Sequence, residues 1–200
     1  MEFHLKSDKF SEYLVVFLHG YGADASNLEF LAKSWQAIFP YCDFMGIDAP
    51  IALEDGGFSW FDLESADWKG GVLRASNFVE EKLKDNSKKV FFAGFSQGAF
   101  LTSHLTLYSK LKVEGGIGFS GGIIPQQLAV KKSNLCLIHG DSDEVILPDW
   151  HNKSIEFASE NGIDLSHKLI KGLGHQISNE AFDFATKQLI EWFKPLSKNI

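Results

Sequence analysis

The sequence predicts an α/β domain in which helices cover both faces of a central, mostly parallel sheet. Short apolar runs alternate with segments of helical period along the chain, which is typical of strand–helix–strand units. Several runs are apolar at consecutive positions, which indicates strands buried on both faces. With 200 residues, 44% of them hydrophobic and 22% charged, the chain is long enough for one sizeable core. We therefore expect a single domain over residues 1–200.

The predicted elements follow one another in a regular order. Six apolar runs, each ending at a turn residue, are predicted strands: Tyr13–Leu18, Phe44–Ile47, Val90–Phe95, Gly115–Phe119, Leu135–Ile138 and Lys168–Ile170. The first helix is predicted to start with a capping box at Ser26 and Glu29 and to end near Phe39. Apolar faces mark four further helices, at Ala75-Val79-Leu83, Leu101-Leu105-Tyr108, Trp150-Ile155-Ala158 and Ala181-Ala185-Leu189-Trp192. The last helix should begin at Ser178 and end near Pro195.

Composition excludes several classes of partner. A net charge of −7 argues against nucleic acid, whose binding needs clustered Lys and Arg. The first strong apolar run, Tyr13–Leu18, is too short to span a membrane, and no basic segment with a signal-length apolar stretch precedes it. We expect a cytoplasmic protein without integral membrane association. Cys42 and Cys136 have no disulfide or metal spacing, so both are predicted to be reduced, buried thiols, with no metal or cofactor bound.

The sequence Gly-Phe-Ser-Gln-Gly at residues 94–98 matches a G-x-S-x-G pattern, which by itself is a modest signal. Its position strengthens it, because a predicted strand precedes it and a predicted helix follows. Gly94, Gly98 and Ala99 leave room for the sharp strand-to-helix turn that exposes a nucleophilic serine. We therefore predict that Ser96 is a nucleophile, the alternative being a polar residue in a glycine-rich turn.

A serine nucleophile needs a base, and the base needs an orienting acid. His175 is the predicted base, because it lies in a glycine-flanked loop between the last strand and the last helix. His139 ends a strand, where a structural role is more usual. Asp141 and Asp143 both follow the strand Leu135–Ile138, and we favour Asp143 as the acid. Asp141 could instead brace its loop through backbone N–H groups.

An oxyanion formed at such a serine must meet preset hydrogen-bond donors. One candidate is the backbone N–H of Gln97, at the start of the helix after Ser96. The second is the backbone N–H of Tyr21, in the glycine-rich turn after the strand Tyr13–Leu18. The alternative for this turn is purely structural, since glycines commonly end strands.

Residues 51–71 fit neither periodicity, and a long loop inside a compact domain is usually functional. This loop is aromatic and acidic. We expect its aromatic side chains Phe58, Trp60, Phe61 and Trp68 to line an apolar binding site. The alternative is that they fill the core beneath the loop. Its acidic residues would disfavour phosphate-bearing groups if they faced the site, but such runs more usually form a solvated face.

Taken together, these features resemble the acyl-protein thioesterase, or phospholipase/carboxylesterase, family of α/β-hydrolases. The matching stretches cover nearly the whole chain in family order: Phe17-Leu18-His19-Gly20-Tyr21-Gly22-Ala23-Asp24, Asp48-Ala49-Pro50, Ser59-Trp60-Phe61-Asp62, Gly94-Phe95-Ser96-Gln97-Gly98-Ala99, His139-Gly140-Asp141-Ser142-Asp143 and Gly174-His175. The resemblance implies a Ser96-Asp143-His175 triad with oxyanion donors at Tyr21 and Gln97. The chain is short for the family before Ser96, which implies a compact α/β-hydrolase fold with little or no lid.

The resemblance implies a serine carboxylesterase or thioesterase that forms an acyl-enzyme. The expected substrate is an ester or thioester, either a small molecule or an acylated protein, with a neutral acyl group of short to medium length. Two alternatives stand beside it: a hydrolase of different specificity, such as a lactonase, amidase or peptidase, and a non-catalytic ligand receptor on the same fold. Neither the physiological substrate nor a homodimer can be read from the sequence.

Overall fold

The computed structural model describes residues 1–8 and 10–193, which form a central sheet, a separate two-stranded hairpin and five α-helices. The strands are β1 (Phe3–Leu5), β2 (Tyr13–Leu18), β3 (Cys42–Ile47), β4 (Ile51–Ala52), β5 (Phe58–Ser59), β6 (Lys89–Phe95), β7 (Val113–Phe119), β8 (Asn134–Gly140) and β9 (Leu165–Ile170). The helices are α1 (Glu29–Ile38), α2 (Trp68–Lys82), α3 (Gln97–Tyr108), α4 (Asp149–Asn161) and α5 (Asn179–Phe193). A 3-10 turn, Ala25–Leu28, precedes α1.

The central sheet has the strand order β1-β3-β2-β6-β7-β8-β9. Every neighbouring pair is parallel except β1 and β3. The prediction of a mostly parallel sheet flanked by helices is therefore confirmed. The sequence does not predict β1, because its three residues are exposed or only partly buried and form no apolar run.

Strand β2 shows why consecutive positions in the central strands are apolar. All six of its side chains are buried. The odd-numbered ones pack in one core cluster with Trp35 of α1 and Leu189 of α5. The even-numbered ones pack in another with Val72 of α2 and Leu101 of α3. Helices thus cover both faces of the sheet, as the pattern indicates.

The start of the first helical segment corrects one prediction. Asp24, not Ser26, caps it: Asp24 Oδ1 accepts a hydrogen bond of 2.8 Å from the Ser26 N–H. In return, Asn27 Oδ1 accepts a bond of 3.1 Å from the Asp24 N–H. The expected capping box at Ser26 and Glu29 is wrong because a 3-10 turn intervenes before α1.

Residues 51–71 are more ordered than a loop. They contain the hairpin of β4 and β5, and α2 already begins at Trp68, where Asp67 Oδ1 accepts a 2.9 Å bond from the Gly70 N–H. Strands of two residues carry no readable periodicity, which is why the sequence does not show the hairpin. At the other end, Ser178 Oγ accepts a bond from the Ala181 N–H as α5 begins. The predicted stop at Pro195 lies outside the described residues.

Both cysteines are buried and free, in agreement with the sequence. Burial raises the pKa of the Cys42 thiol to about 12 and also raises the pKa of Cys136. Among the helices in the described part of the chain, none combines the length and the apolar character needed to cross a bilayer.

Asp43 in β3 is a buried carboxylate that links three segments. Its Oδ1 accepts a 3.0 Å bond from the Ser7 N–H after β1, and its Oδ2 contacts Lys88 Nζ at 2.6 Å before β6. Burial opposes ionisation of Asp43, but the bonds from Lys88 and Ser7 outweigh it, so its pKa lies below the ordinary value. The ionised form therefore stabilises the fold.

We predict that Asp43→Asn lowers the free energy of unfolding at pH 7 by about 1.5–3 kcal/mol, the range for hydrogen bonds to charged groups. Because the folded-state pKa of Asp43 is lowered, this stabilisation is present above the unfolded-state pKa of about 3.9 and is lost as the pH falls through the folded-state value. Urea unfolding of both proteins from pH 7 downwards should show the two converge. Asp149→Asn, which removes an exposed pair with Lys153, is the matched control and should cost less. Equal losses in both variants would contradict the prediction.

Candidate active site

Ser96 stands at the turn between β6 and α3, with backbone angles φ 55° and ψ −119°. A positive φ is strained for a residue with a side chain, so the surrounding chain must impose it. The two glycines of the motif allow the turn. A Cβ on Gly94 would lie 2.2 Å from Gly98 O, and a Cβ on Gly98 would lie 2.0 Å from Leu18 O. The start of α3 thus packs directly against the end of β2, which leaves space at both positions for glycine only.

His175 and Asp143 come from the loops after β9 and β8. His175 Nδ1 lies 2.8 Å from Asp143 Oδ2, and the imidazole ring packs against Phe95 with the ring centroids 4.8 Å apart. Ser96 and His175 line the same cavity. These two described residues share no direct hydrogen bond, an arrangement common in free enzymes, where the bond often tightens only with substrate bound.

Asp143 is a buried carboxylate with three hydrogen bonds. Its Oδ1 accepts bonds of 2.9 Å from the N–H groups of both Val145 and Ile146, and its Oδ2 accepts the bond from His175. Burial opposes ionisation, but these bonds outweigh it and the pKa of Asp143 is lowered. The ionised carboxylate therefore holds the proton of His175 on Nδ1, which leaves Nε2 able to accept one.

Asp141, the other candidate acid, occupies a different environment. It is exposed, and its Oδ1 accepts bonds of 2.6 Å from the Gly172 N–H and 2.8 Å from Ser142 Oγ. These bonds lower the pKa of Asp141 and join the loop after β8 to the turn after β9. Of the two aspartates, Asp143 is the one in contact with His175.

The two expected oxyanion donors lie in the segments that flank Ser96. Within residues 1–8 and 10–193, neither the Tyr21 N–H nor the Gln97 N–H has an acceptor. Gln97 is the first residue of α3, where the helix dipole favours negative charge. The loop that carries Tyr21 approaches closely, since a Cβ on Gly20 would lie 3.4 Å from Ser96 Cβ. Both donors are therefore unpaired beside the serine.

His19 orients the Tyr21 N–H, a role that the sequence analysis does not predict. Its buried Nε2 accepts a 3.0 Å bond from the Ala49 N–H, so the proton is on Nδ1, which donates a 2.7 Å bond to Gly20 O. Burial lowers the pKa of His19, which keeps the ring neutral. Because the Gly20 carbonyl and the Tyr21 N–H belong to one planar trans peptide, they point in opposite directions. Fixing the carbonyl therefore fixes the direction of the N–H. The sequence signals for His19 are its position directly after β2 and its place in a stretch on which the family resemblance rests.

A cavity of about 550 Å³ opens in front of Ser96 and His175. Its lining is mostly apolar and includes Phe61, Leu63, Trp68, Phe100, Ile146 and Ile177. Exposed side chains of Tyr21, Phe30 and Val145 form part of its wall and give it an apolar mouth. The cavity can therefore take an apolar group whose reacting atom lies at Ser96.

Of the four aromatic residues expected in the binding site, only Phe61 and Trp68 line the cavity. Phe58 and Trp60 lie outside that lining. Phe58 forms an isolated β-bridge with Ala23, and Trp60 is only 1% exposed, packed against His19 with the ring centroids 5.3 Å apart. Trp60 is therefore a core residue beneath the loop, which is the alternative interpretation given above.

The other histidines lie away from the Ser96 cavity. His139 is buried, with Nε2 2.7 Å from Ile146 O and 3.4 Å from Asp143 Oδ2, so it packs against Asp143. His104 and His151 are in helices, and burial lowers the pKa of each to about 4. Within the described part of the chain, no three His, Cys, Asp or Glu side chains are grouped so that they could hold a metal ion.

Comparisons with known proteins find relatives that match nearly the whole chain. The chain is 30% identical to acyl-protein thioesterase 1 homolog 1 of Dictyostelium discoideum, over 86% of this chain and 87% of that protein. It is 27% identical to carboxylesterase SOBER1 of Arabidopsis thaliana, over 90% and 89% of the two chains. Among solved structures, esterase PE8 superimposes with a TM-score of 0.84 at 28% identity, over 94% of this chain and 96% of the esterase.

A more distant solved structure shows the same fold. Acyl-protein thioesterase 2 of Zea mays superimposes with a TM-score of 0.75 at 20% identity, over 96% of this chain and 98% of the maize protein. The family model described as phospholipase/carboxylesterase matches residues 5–193, nearly the whole chain. This protein therefore belongs to the phospholipase/carboxylesterase family of α/β-hydrolases.

Proposed function

We propose that this protein hydrolyses carboxylic esters or thioesters of apolar acyl groups through a covalent acyl-enzyme. One observation carries the proposal. Ser96, on a strained turn, lines the same apolar cavity as His175, and His175 is hydrogen-bonded to the buried carboxylate of Asp143. Membership of the phospholipase/carboxylesterase family supports it.

The proposed reaction has two acyl-transfer steps. Ser96 Oγ attacks the carbonyl carbon while His175 Nε2 takes the hydroxyl proton, and Asp143 stabilises the resulting imidazolium. Collapse of the tetrahedral intermediate breaks the bond to the alcohol or thiol, which leaves with the proton from His175. Water then attacks the acyl-enzyme and gives a proton to His175. His175 passes this proton to Ser96 Oγ as the second tetrahedral intermediate collapses, which releases the carboxylic acid and free Ser96.

In each of the two tetrahedral intermediates the former carbonyl oxygen carries negative charge, which hydrogen-bond donors must stabilise. The N–H groups of Tyr21 and Gln97 are proposed for this role, since both lack another acceptor and lie beside Ser96. Loss of one such donor typically slows an enzyme about 10²- to 10³-fold. Because the proposed donor is the backbone N–H, the side chain of Tyr21 contributes to the cavity wall and not to this hydrogen bond.

The cavity indicates the class of acyl group. Apolar walls and a volume of about 550 Å³ suit a short to medium acyl chain. The acidic residues Asp62, Glu64 and Asp67 are exposed and lie outside its lining, so they form a solvated face. The exposed mouth is open enough for the acylated end of a small molecule or of a protein.

A fluorophosphonate probe tests the nucleophile. We expect the folded protein to be labelled at Ser96, with loss of p-nitrophenyl butyrate hydrolysis in step with labelling, because the probe reacts only with an activated serine. Ser96→Ala should abolish both signals, as measured by intact-protein and peptide mass spectrometry. Folded protein that remains unlabelled and inactive would favour a non-catalytic receptor.

The two aspartates give a matched pair of variants. Asp143→Asn should lower kcat at least about 10³-fold, because the amide leaves the imidazole in the wrong tautomer. Asp141→Asn alters the hydrogen bonds from Gly172 and Ser142, neither of which involves the imidazole, and should lower kcat less than tenfold. Steady-state kinetics of both folded variants checks the ranking, and the reverse order would overturn the assignment of the acid.

Trp68 should limit the acyl length. It forms part of the wall of the Ser96 cavity and also of a second cavity of about 500 Å³, on the side where its ring stacks on Trp150. Trp68→Ala should therefore join the two spaces and move the optimum of kcat/KM toward longer p-nitrophenyl acyl esters. Trp150→Ala enlarges only the second cavity and should leave the optimum in place. An unchanged optimum in Trp68→Ala would show that the acyl chain lies elsewhere.

A further inference from the structure

Trp60 connects the two segments that carry the unpaired N–H groups. Its indole Nε1–H donates a 2.8 Å hydrogen bond to His19 O, in the loop after β2. Its backbone N–H donates a 2.8 Å bond to Gln97 Oε1, at the start of α3. A single buried residue thus bonds to both sides of the proposed oxyanion hole.

The Gln97 side chain is fully occupied in holding the segment that contains Trp60. Besides accepting from Trp60, its Nε2 donates bonds of 2.7 Å to Phe61 O and 3.1 Å to Ser59 Oγ. The residue is only 3% exposed, so these bonds are shielded from water. The side chain therefore fixes residues 59–61 to the turn at Ser96.

The same segment is also paired to the loop that carries Tyr21. The Phe58 N–H donates a 2.9 Å bond to Ala23 O, and Phe58 O accepts a 3.0 Å bond from the Gly22 N–H. A Cβ on Gly57 would lie 2.2 Å from Gly22 O, so the two backbones are in close contact. Residues 57–61 thus bridge the loop and the helix start from one side.

We propose that Trp60 is a positioning residue that sets the spacing of the Tyr21 and Gln97 N–H groups, an inference that rests on the proposed function. The indole holds the carbonyl of His19, whose own ring holds the Gly20 carbonyl and so aims the Tyr21 N–H. The backbone of Trp60 holds the Gln97 side chain at the other donor. Since misplacement of a catalytic group by about 1 Å can cost 10²-fold in rate, this spacing matters for the transition state.

The decisive variant is Trp60→Phe, which deletes the indole N–H and keeps an aromatic ring in place. The matched control is Trp35→Phe, which deletes an equally buried indole bond, 2.9 Å from Trp35 Nε1 to Thr186 Oγ1, in the core on the other face of the sheet. Thermal unfolding should show a similar loss of Tm in both. A purely structural role for Trp60 would therefore make the two variants behave alike in every assay.

We expect Trp60→Phe to lower kcat for p-nitrophenyl butyrate about tenfold with KM within twofold, less than the 10²- to 10³-fold loss of a whole donor. Its affinity for an alkyl trifluoromethyl ketone, which forms a charged tetrahedral adduct with the serine, should fall by the same factor. Trp35→Phe should leave kcat and this affinity unchanged. If both variants keep the wild-type kcat and ketone affinity, the inference fails while the proposed function stands.

Two further results complete the test. If the wild-type protein neither hydrolyses esters nor reacts with a fluorophosphonate, the proposed function fails first, and the inference falls with it. If Trp60→Phe does not fold, Gln97→Met replaces it, because methionine keeps the backbone N–H and removes the amide that holds Trp60. A kcat loss of about tenfold with unchanged KM in Gln97→Met supports the inference, and a wild-type kcat overturns it.

Discussion

The close contact between the end of β2 and the start of α3 is the constraint on which the site depends. Only because Gly98 lies against Leu18 O can the chain turn sharply enough to hold Ser96 at a positive φ. The same contact brings the loop that follows β2 beside the first N–H of α3. The proposed nucleophile and the proposed oxyanion donors therefore depend on one packing arrangement.

Around this contact, buried polar bonds do the aligning. The side chains of His19, Trp60, Gln97 and Asp143 are all nearly inaccessible to solvent. The Trp60 indole makes one hydrogen bond, and each of the other three side chains makes at least two. Because water cannot replace these buried hydrogen bonds, they hold their groups in one geometry, whereas exposed bonds would allow several. Apolar walls then surround a small, fixed set of polar groups, which is the usual composition of a small-molecule site.

The sequence predicts most of the fold because strands such as Tyr13–Leu18 are buried on both faces and carry an unbroken apolar signal. It also singles out Ser96, Asp143 and His175 by their places after β6, β8 and β9, and their catalytic roles stay predictions. What it does not show depends on contacts between distant segments. Gln97 and Trp60 are 37 residues apart, and their bond has no periodicity or motif spacing of its own. The hairpin of β4 and β5 escapes detection because strands of two residues carry no periodicity. Its position is fixed by backbone bonds between Phe58 and both Gly22 and Ala23.

The burial of Cys42 and Cys136 has a consequence for the chemistry of the whole protein. Nucleophilic attack and oxidation by peroxides proceed from the thiolate, and raised pKa values leave almost none of it at neutral pH. Both cysteine sulfurs are also shielded from solvent, so a reagent can reach them only after local unfolding of the chain. In the folded protein both thiols are therefore insensitive to peroxides and to electrophiles, so such reagents do not act on the protein through its cysteines.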